Sequence, residues 1–237
     1  MFHAHLKGKF VAVLLRGLPT VDSVTLEGAL RESEDVLTAA VFSRLMYLPH
    51  EIAWDVVVGS GTVLIGIQPE RPKVAQISQR LWPKYYTDPK NPSSYVEPDV
   101  VWLVGGVAVV IEAKWRDSHS ADQLHREHDA VSAGERIDAV VVIALGNTPA
   151  SVREELTAGC RLPSLQALSW PEVYKALVKV HGACEHPPHA SAVLKDLLLI
   201  LASRGMTEPV FLESLFPFTP AQPLASPGTL MNLWRSP

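Results

Sequence analysis

Apolar and polar residues form their clearest pattern in the middle of the chain, where two short apolar runs flank a pair of glycines. The runs VVWLV (100–104) and VAVVI (107–111) are rich in β-branched residues, which favour buried strands. Gly105-Gly106 between them is a favoured two-residue hairpin turn. With these two glycines as the loop, Asp99 lies opposite Glu112 at the open end of the predicted hairpin.

The open end of this hairpin carries charged residues. Because side chains alternate between the two faces of a strand, Asp99, Glu112 and Lys114 project from the same face. Two carboxylates opposite each other destabilise a sheet unless positive charge lies between them. Lys114 supplies part of that charge, and a divalent cation with oxygen ligands would supply more. An ordinary salt bridge at a strand end, or a hairpin in another register, would also explain these residues.

A helix is predicted upstream, over LEGALRESEDVLTAAVFSRLMYLP (26–49), which has no internal proline and ends at Pro49. Its apolar stripe at helical spacing consists of Leu30, Leu37, Val41, Leu45 and Leu48. Glu34 falls on that stripe, and a carboxylate on an apolar face is costly unless it is paired or bound to a cation. Glu34 is therefore a site residue, the partner of an arginine or lysine, or part of first helical turns that fray.

The remaining elements follow from shorter patterns. EIAWDVVVGSGTVLIGIQ (51–68) resembles two short strands around a Gly-Ser-Gly turn, and DAVVVIAL (138–145) is a buried strand. SADQLHREHDAVSAGER (120–136) is predicted to be a helix with Ser120 or Asp122 as its N-cap. Beyond Thr148, three further helices are predicted, over VREELTA (152–158), PEVYKALVKV (171–180) and ASAVLKDLLLILASRG (190–205). We therefore predict an α/β core over 1–148, and a helical C-terminal extension with a proline-rich tail over 149–237.

Composition limits the class of protein. The 237 residues are 47% hydrophobic and 19% charged, which is typical of a globular protein with a substantial core. No apolar run approaches the ~20 residues that span a bilayer, so no membrane segment is expected. The two cysteines, Cys160 and Cys184, offer no disulfide framework, and a cytoplasmic location is expected. The net charge of −4 does not favour nucleic acid, so any such binding would need a local patch.

A basic segment interleaved with aromatic residues lies just before the hairpin. Residues 71–90 contain five Arg and Lys side chains against one acid, and aromatic residues stand between them in RLWPKYYTDPK (80–90). Cations contact phosphates and aromatic rings stack on bases, so we predict that Arg80, Trp82 and Lys84 bind nucleic acid. A solvated loop whose aromatic residues pack inward is the alternative.

Two other groups of polar residues lie near the hairpin. His125 and His128 are three residues apart on the predicted helix, and His119 precedes that helix. Two helical histidines could bind zinc, but no convincing third ligand has a suitable spacing from them. Surface positions are therefore expected for these histidines. Glu127 lies one turn after Gln123 on the same helix face, where it either supports a site or faces solvent.

Taken together, these elements resemble the PD-(D/E)xK nuclease superfamily, the restriction-endonuclease-like group. The resemblance rests on Pro98-Asp99, on Glu112-Ala113-Lys114, on a preceding helix with Glu34, and on a following helix with QLHRE (123–127). It covers about residues 26–146 and implies an α-β-β-β-α-β core around a mixed sheet. It also implies a metal-dependent nuclease acting on DNA, in defence or DNA processing. The resemblance does not exclude RNA as a substrate, and it is compatible with a homodimer.

The resemblance implies a role for each matching residue. The implied ligands of Mg²⁺ or Mn²⁺ are Asp99, Glu112, Ala113 through its backbone carbonyl, and Glu34 directly or through water. Lys114 would orient or help deprotonate the attacking water and steady charge on the phosphate. Gln123 would reach back to the site from the following helix. A catalytically silent module that keeps the fold and binds DNA or a protein partner is the alternative function.

Overall fold

Six of the strands formed by the described residues join in one mixed sheet. The computed structural model describes residues 34–71, 76–88, 90–91, 93–115, 118–147, 156, 159–183 and 186–206. Within them the elements are α1 (Glu34–Leu45), α2 (His50–Val57), β1 (Thr62–Ile65), β2 (Ser78–Leu81), β3 (Tyr85–Tyr86), β4 (Tyr95–Val96), β5 (Val100–Val104), β6 (Val107–Ala113), α3 (Ala121–Gly134), β7 (Ala139–Gly146), β8 (Leu165–Ser169), α4 (Trp170–Ala183) and α5 (Pro188–Ala202). The strand order is β1-β8-β7-β6-β5-β2, and β3 pairs with β4 in a separate ribbon. The predicted α/β class and mixed sheet are confirmed.

The predicted hairpin is present as β5 and β6, in the predicted register. Val104 pairs with Val107 across the turn, and Gly105 and Gly106 both have positive φ, 52° and 87°. Two positive φ angles are what the tightest hairpin turns require, and glycine adopts them without steric cost. A Cβ on Gly106 would also lie 2.6 Å from Oδ2 of Asp138, so a side chain there would be strained by the positive φ and would displace the Asp138 carboxylate.

The strands on either side of the hairpin run in different directions. β2 is antiparallel to β5, whereas β7 is parallel to β6 and β8 is parallel to β7. The chain passes from β6 to β7 through α3, as a parallel crossover requires. Ser120 caps this helix by accepting a hydrogen bond from the backbone N–H of Gln123, which confirms one of the two predicted N-caps. The capped end of α3 lies close to the carboxyl end of β6, because Gln123 reaches Glu112 there.

Apolar side chains cover both faces of the sheet. One face packs against α1, α2, α4 and α5, and its core includes the fully buried Trp102 and Ile111. Phe42 from α1 makes edge-on contacts with Trp102 and Trp170, at ring-centroid distances of 6.0 and 6.5 Å. The opposite face packs against α3 and the β3–β4 ribbon, and it includes Val101 and Val110. The strand alternation that places Val110 toward α3 also places Glu112 there.

The segment 51–68 differs from its prediction in its first half. Residues 50–57 form the helix α2, not a strand, although β1 follows as expected. Its buried residues, Ala53, Trp54, Val56 and Val57, line one side of a helix that begins directly after Pro49. The β-branched valines favour a strand locally, but burying this stripe against the sheet decides the conformation. The preceding helix α1 ends at Leu45, four residues before the predicted end at Pro49. The first part of that predicted helix, residues 26–33, lies outside the described residues.

A strand that the sequence pattern did not predict completes the sheet. Residues 165–169 form β8, whose five residues are all buried and which lies between β1 and β7. The helices α4 and α5 match two of the three predicted C-terminal helices. The helix predicted over 152–158, except for Leu156, and the predicted proline-rich tail lie outside the described residues. Together with β8 they belong to the same compact unit as the rest of the sheet, a unit that ends at Met206. In the described part of the chain, no helix has the length and apolar character needed to cross a membrane.

Candidate active site

Asp99 immediately precedes β5 and is held by two hydrogen-bond donors. Its Oδ1 accepts a hydrogen bond from Nε1 of Trp82 (3.0 Å), and its Oδ2 accepts one from the backbone N–H of Ala113 (2.9 Å). The carboxylate therefore satisfies the last backbone donor of β6 in place of a ladder carbonyl. Asp99 is buried, with only 7% of its surface exposed, so both oxygens are fixed at the end of the hairpin.

Trp82 supports Asp99 instead of facing solvent. In addition to its indole contact, its backbone N–H donates to the carbonyl of Asp99 (2.9 Å). Its φ of 49° lies in the left-handed region that bulky residues rarely adopt, and such strain persists only where surrounding contacts impose it. The side chain is buried (7% exposed), so it cannot stack on a base in this arrangement. In this structure Trp82 lies behind the carboxylate of Asp99, and a contact between Trp82 and nucleic acid stays a prediction.

Glu112 receives two donors on the same oxygen. Lys114 Nζ lies 2.6 Å from Glu112 Oε1, and Nε2 of Gln123 donates to the same atom at 2.7 Å. Glu112 is nearly fully buried (3% exposed). The backbone of Lys114 is fixed as well, because its N–H donates to Leu145 O (2.7 Å) and its carbonyl accepts from Trp170 Nε1 (3.3 Å). These two backbone hydrogen bonds hold Lys114 where its ammonium contacts Glu112.

Glu34 reaches this site from the first described turn of α1. Its Oε2 accepts a hydrogen bond from the backbone N–H of Trp115 (2.6 Å), and its Oε1 lies 3.7 Å from Nζ of Lys114. Glu34 therefore lies beside the hairpin's acidic end and also faces a lysine, and its role in a site stays a prediction. Burial raises the pKa of Glu34, although the Trp115 N–H and the Lys114 ammonium partly oppose that rise.

Glu127 is a fourth carboxyl group of the site, and the sequence pattern left its role open. It is 2% exposed, and its Oε1 accepts a hydrogen bond from Nε2 of Gln123 (2.9 Å). Gln123 therefore uses its single side-chain nitrogen to donate to both Glu112 and Glu127. We call this group of six residues the strand-end cluster: Glu34, Asp99, Glu112, Lys114, Gln123 and Glu127.

The cluster concentrates more negative charge than its lysine neutralises, and the carboxyl groups respond by holding protons. Burial, followed by the charge of Glu112, raises the pKa of Asp99 to about 7. The same two causes raise the pKa of Glu127 to about 8. Burial alone would lower the pKa of Lys114, but the charges of Glu112, Glu34 and Asp99 outweigh it and raise that pKa. Lys114 therefore stays charged at neutral pH while part of the carboxyl set is protonated.

The donors of the cluster suit a hard divalent cation in chemistry, but they are engaged with protein groups. Carboxylate oxygens are the ligands that Mg²⁺ and Mn²⁺ prefer. Among the described residues, however, no group of three or more His, Cys, Asp or Glu side chains is already gathered around a point that could hold a metal ion. Nζ of Lys114 and Nε2 of Gln123 contact the carboxylate oxygens that a cation would use. Cation binding would require these two side chains to turn aside.

His119 lies beside the cluster and not on the surface as expected. It is 7% exposed, and its Nε2 is 3.1 Å from the backbone carbonyl oxygen of Glu112. His125 instead bridges two backbone groups, with Nδ1 near Ala121 O and Nε2 accepting from the N–H of Arg161. His119 thus contacts the strand that carries Glu112, a position that the sequence pattern did not predict.

The basic segment before the hairpin is largely engaged with neighbouring residues. Arg80 forms an ion pair with Glu135, which also accepts a hydrogen bond from the Tyr85 hydroxyl (2.8 Å). Lys84 is exposed, and its Nζ lies 4.5 Å from the ring centroid of Tyr95. Lys84 therefore faces solvent beside an aromatic ring, whereas the charge of Arg80 is already balanced.

None of the family models, curated proteins or solved structures compared with this chain matches it. Assignment of a function therefore depends on the geometry of the strand-end cluster and on the order of the elements around it.

Proposed function

We propose that this protein is a metal-dependent nuclease with a restriction-endonuclease-like core. The observation that carries the proposal is the meeting of Asp99, Glu112 and Lys114 at one end of the β5–β6 hairpin, with Gln123 and Glu34 contacting the same group. These are the residue types and positions that the family resemblance assigns to the active site.

The order of elements around the site also supports the proposal. Taken in sequence, α1, β2, β5, β6, α3 and β7 follow the α-β-β-β-α-β order that the resemblance implies. Their strands are neighbours in the sheet in the order β2-β5-β6-β7, with only the last pair parallel. In this interpretation α2, β1 and the β3–β4 ribbon are insertions, and β8 extends the sheet beyond β7.

Each residue of the cluster has a defined part in the proposed reaction. Asp99, Glu112 and the Ala113 carbonyl would hold Mg²⁺ or Mn²⁺, with Glu34 as a further ligand directly or through water. When bound, the cation neutralises charge at the scissile phosphate and makes a bound water more acidic. Lys114 would leave Glu112 and use Nζ to orient the attacking water and to balance charge on a phosphate oxygen. Gln123 holds Glu112 in position through its amide.

A catalytically silent module is the second candidate, and one observation favours it. The ammonium of Lys114 lies 2.6 Å from Glu112 and 3.7 Å from Glu34, so the cluster is already a partly neutralised ion-pair network. Such a network would hold the end of the sheet together without binding a metal ion. In that case the fold would serve to bind DNA or a protein partner.

Plasmid cleavage distinguishes the two candidates. Purified protein is incubated with supercoiled plasmid in Mg²⁺, Mn²⁺ or chelator, with a single-stranded RNA in parallel to test the substrate. The nuclease proposal predicts nicking that requires the metal and that Glu112→Gln abolishes. The matched control is Asp129→Asn, which removes an equal charge from the exposed side of α3 and should cleave normally. Absence of cleavage of either nucleic acid by a folded wild-type protein would favour the silent module.

A further inference from the structure

The β3–β4 ribbon has one buried face and one exposed face. Tyr85 pairs with Val96, and Tyr86 pairs with Tyr95. Tyr85 and Val96 are buried on the side of the sheet that α3 covers, whereas Tyr86 is 58% exposed and Tyr95 is 40% exposed. The two exposed rings contact each other edge-on, with their centroids 6.3 Å apart. Exposed aromatic rings that lie together, and are not scattered singly, mark a surface for a binding partner.

Lys84 adds a positive charge to the exposed face of the ribbon. Its side chain is exposed, and its Nζ lies 4.5 Å from the ring centroid of Tyr95, within the range of a cation–π contact. We call these three residues, Lys84, Tyr86 and Tyr95, the aromatic face of the ribbon. Because Lys84 lies over Tyr95, and Tyr86 is the more exposed ring, Tyr86 is the ring placed to stack on a partner.

The ribbon begins and ends beside the strand-end cluster. Trp82 precedes the ribbon and Asp99 follows it, and the N–H of Trp82 donates to the carbonyl of Asp99 (2.9 Å). Tyr86 lies four residues after Trp82, and Tyr95 lies four residues before Asp99. At about 3.3–3.6 Å per residue, the Cα atoms of both tyrosines lie within about 14 Å of this junction. That span is about four nucleotides at the roughly 3.4 Å rise per nucleotide of a duplex strand, so one bound strand can contact both the cluster and the aromatic face.

The charge of the ribbon limits the kind of nucleic acid that suits it. Residues 83–98 carry two lysines and two acids, and their net charge is therefore zero: Lys84, Lys90, Asp88 and Glu97. A duplex keeps its bases stacked and presents mainly phosphates, which a segment of zero net charge attracts weakly. An unpaired base instead presents its flat face, and aromatic side chains stack on such faces whatever the sequence. The aromatic face therefore suits unpaired bases better than it suits a duplex.

We propose that the aromatic face stacks an unpaired base of a strand bound at the strand-end cluster, so that the protein prefers single-stranded or locally unpaired nucleic acid to duplex. Tyr86 stacks on the base, and Lys84 contacts a neighbouring phosphate. Tyr95 holds the other two in place through its ring contact with Tyr86 and its cation–π contact with Lys84. This preference rests on the proposed function, because it names the form of the substrate. Unpaired DNA and unpaired RNA present the same kind of base face, so both are tested.

Fluorescence anisotropy with labelled oligonucleotides measures the preference without any cleavage. A DNA single strand, the same strand annealed to its complement, and an RNA of the same sequence are titrated in chelator. The proteins are the wild type, Tyr86→Ala, Tyr86→Phe and the control Tyr47→Ala. Tyr47 is also an exposed tyrosine (71%), but it follows the end of α1 opposite to Glu34 and so lies away from the cluster. Urea unfolding of each variant checks that it is folded.

The proposal predicts a loss that is specific to unpaired bases. We expect the wild type to bind the single strand more tightly than the duplex. Tyr86→Ala should lower the affinity for the single strand at least about 5-fold and leave the affinity for the duplex unchanged. Tyr86→Phe keeps the ring and Tyr47→Ala keeps the whole aromatic face, so both should bind as the wild type does. The loss in Tyr86→Ala with either the DNA or the RNA strand supports the proposal, and the more tightly bound strand identifies the substrate.

The outcomes also separate the aromatic face from the proposed nuclease activity. Equal affinity of the wild type for single strand and duplex overturns the aromatic face, and so does an absence of binding to both. Unchanged binding of the single strand by Tyr86→Ala, or an equal loss for the duplex, overturns it even if the wild type cleaves plasmid. A loss in Tyr86→Phe also overturns it, because the contact then depends on the hydroxyl group and not on the ring. Conversely, Tyr86-dependent binding of single strands by a protein that cleaves no nucleic acid supports the aromatic face and refutes the nuclease activity.

Discussion

Replacing Glu127 by glutamine should make the stability of the metal-free protein less sensitive to pH. In the folded protein, burial and then the charge of Glu112 raise the pKa of Glu127 from 4.5 to about 8. Glutamine cannot ionise, and it keeps the oxygen that accepts from Nε2 of Gln123. The substitution therefore removes a titrating group. It costs no hydrogen bond at the second oxygen, because Oε2 of Glu127 has no hydrogen-bond partner among the described residues.

The sign and size of the effect follow from the two pKa values. Below pH 4.5, Glu127 is protonated in both the folded and the unfolded chain and contributes nothing. As pH rises toward 8, the unfolded chain loses this proton and the folded chain keeps it, so the free energy of unfolding falls. Each pH unit in this window is worth about 1.4 kcal/mol, so the loss reaches at most about 5 kcal/mol above pH 8. Glu127→Gln does not suffer this loss.

Urea unfolding from pH 4.5 to pH 9 in the presence of chelator measures the effect. The quantity of interest is the free energy of unfolding of Glu127→Gln minus that of the wild type, because other titrating groups largely cancel in this difference. We expect the difference to increase steadily with pH and to level off above pH 8. In the control Asp129→Asn, the difference should stay flat, since that carboxylate is exposed. A flat difference for Glu127→Gln would refute the assignment of a buried, proton-holding carboxyl group.

Three further predictions address the support of the site, the basic segment and α1. Trp82→Phe should lower the free energy of unfolding by about 1.5–3 kcal/mol, because the buried Asp99 carboxylate loses a donor; a loss below about 0.5 kcal/mol in urea unfolding would contradict this. Lys84→Ala should reduce the slope of log DNA affinity against log salt by about 0.9. Arg80→Ala should leave that slope unchanged, because the charge of Arg80 is paired with Glu135. Equal slopes for the two variants would contradict this. Glu34→Gln should reduce, without abolishing, the rise in melting temperature caused by Mg²⁺, and an unchanged rise would leave Glu34 a structural cap for the strand end.

The sequence by itself determined the features that depend on neighbouring residues. Gly105-Gly106 can adopt the positive φ angles of a tight turn, so the register of the hairpin followed from the turn alone. Alternation along the two strands then placed Asp99, Glu112 and Lys114 on one face, and the structure has them meeting at the hairpin's end. The helix α3 was equally local, since Ser120 supplies a capping oxygen at its start.

Only the tertiary structure decided features that depend on what packs against a segment. Residues 50–57 have valines that suit a strand, yet their apolar stripe is buried best as a helix on the sheet. The aromatic ring of Trp82 could face a base or the core, and contact with Asp99 settled its direction. Glu127 could have been solvated, and only the closing of α3 over β6 buried it. Local patterns limit the conformation of a segment, but burial against distant residues selects among the conformations that remain.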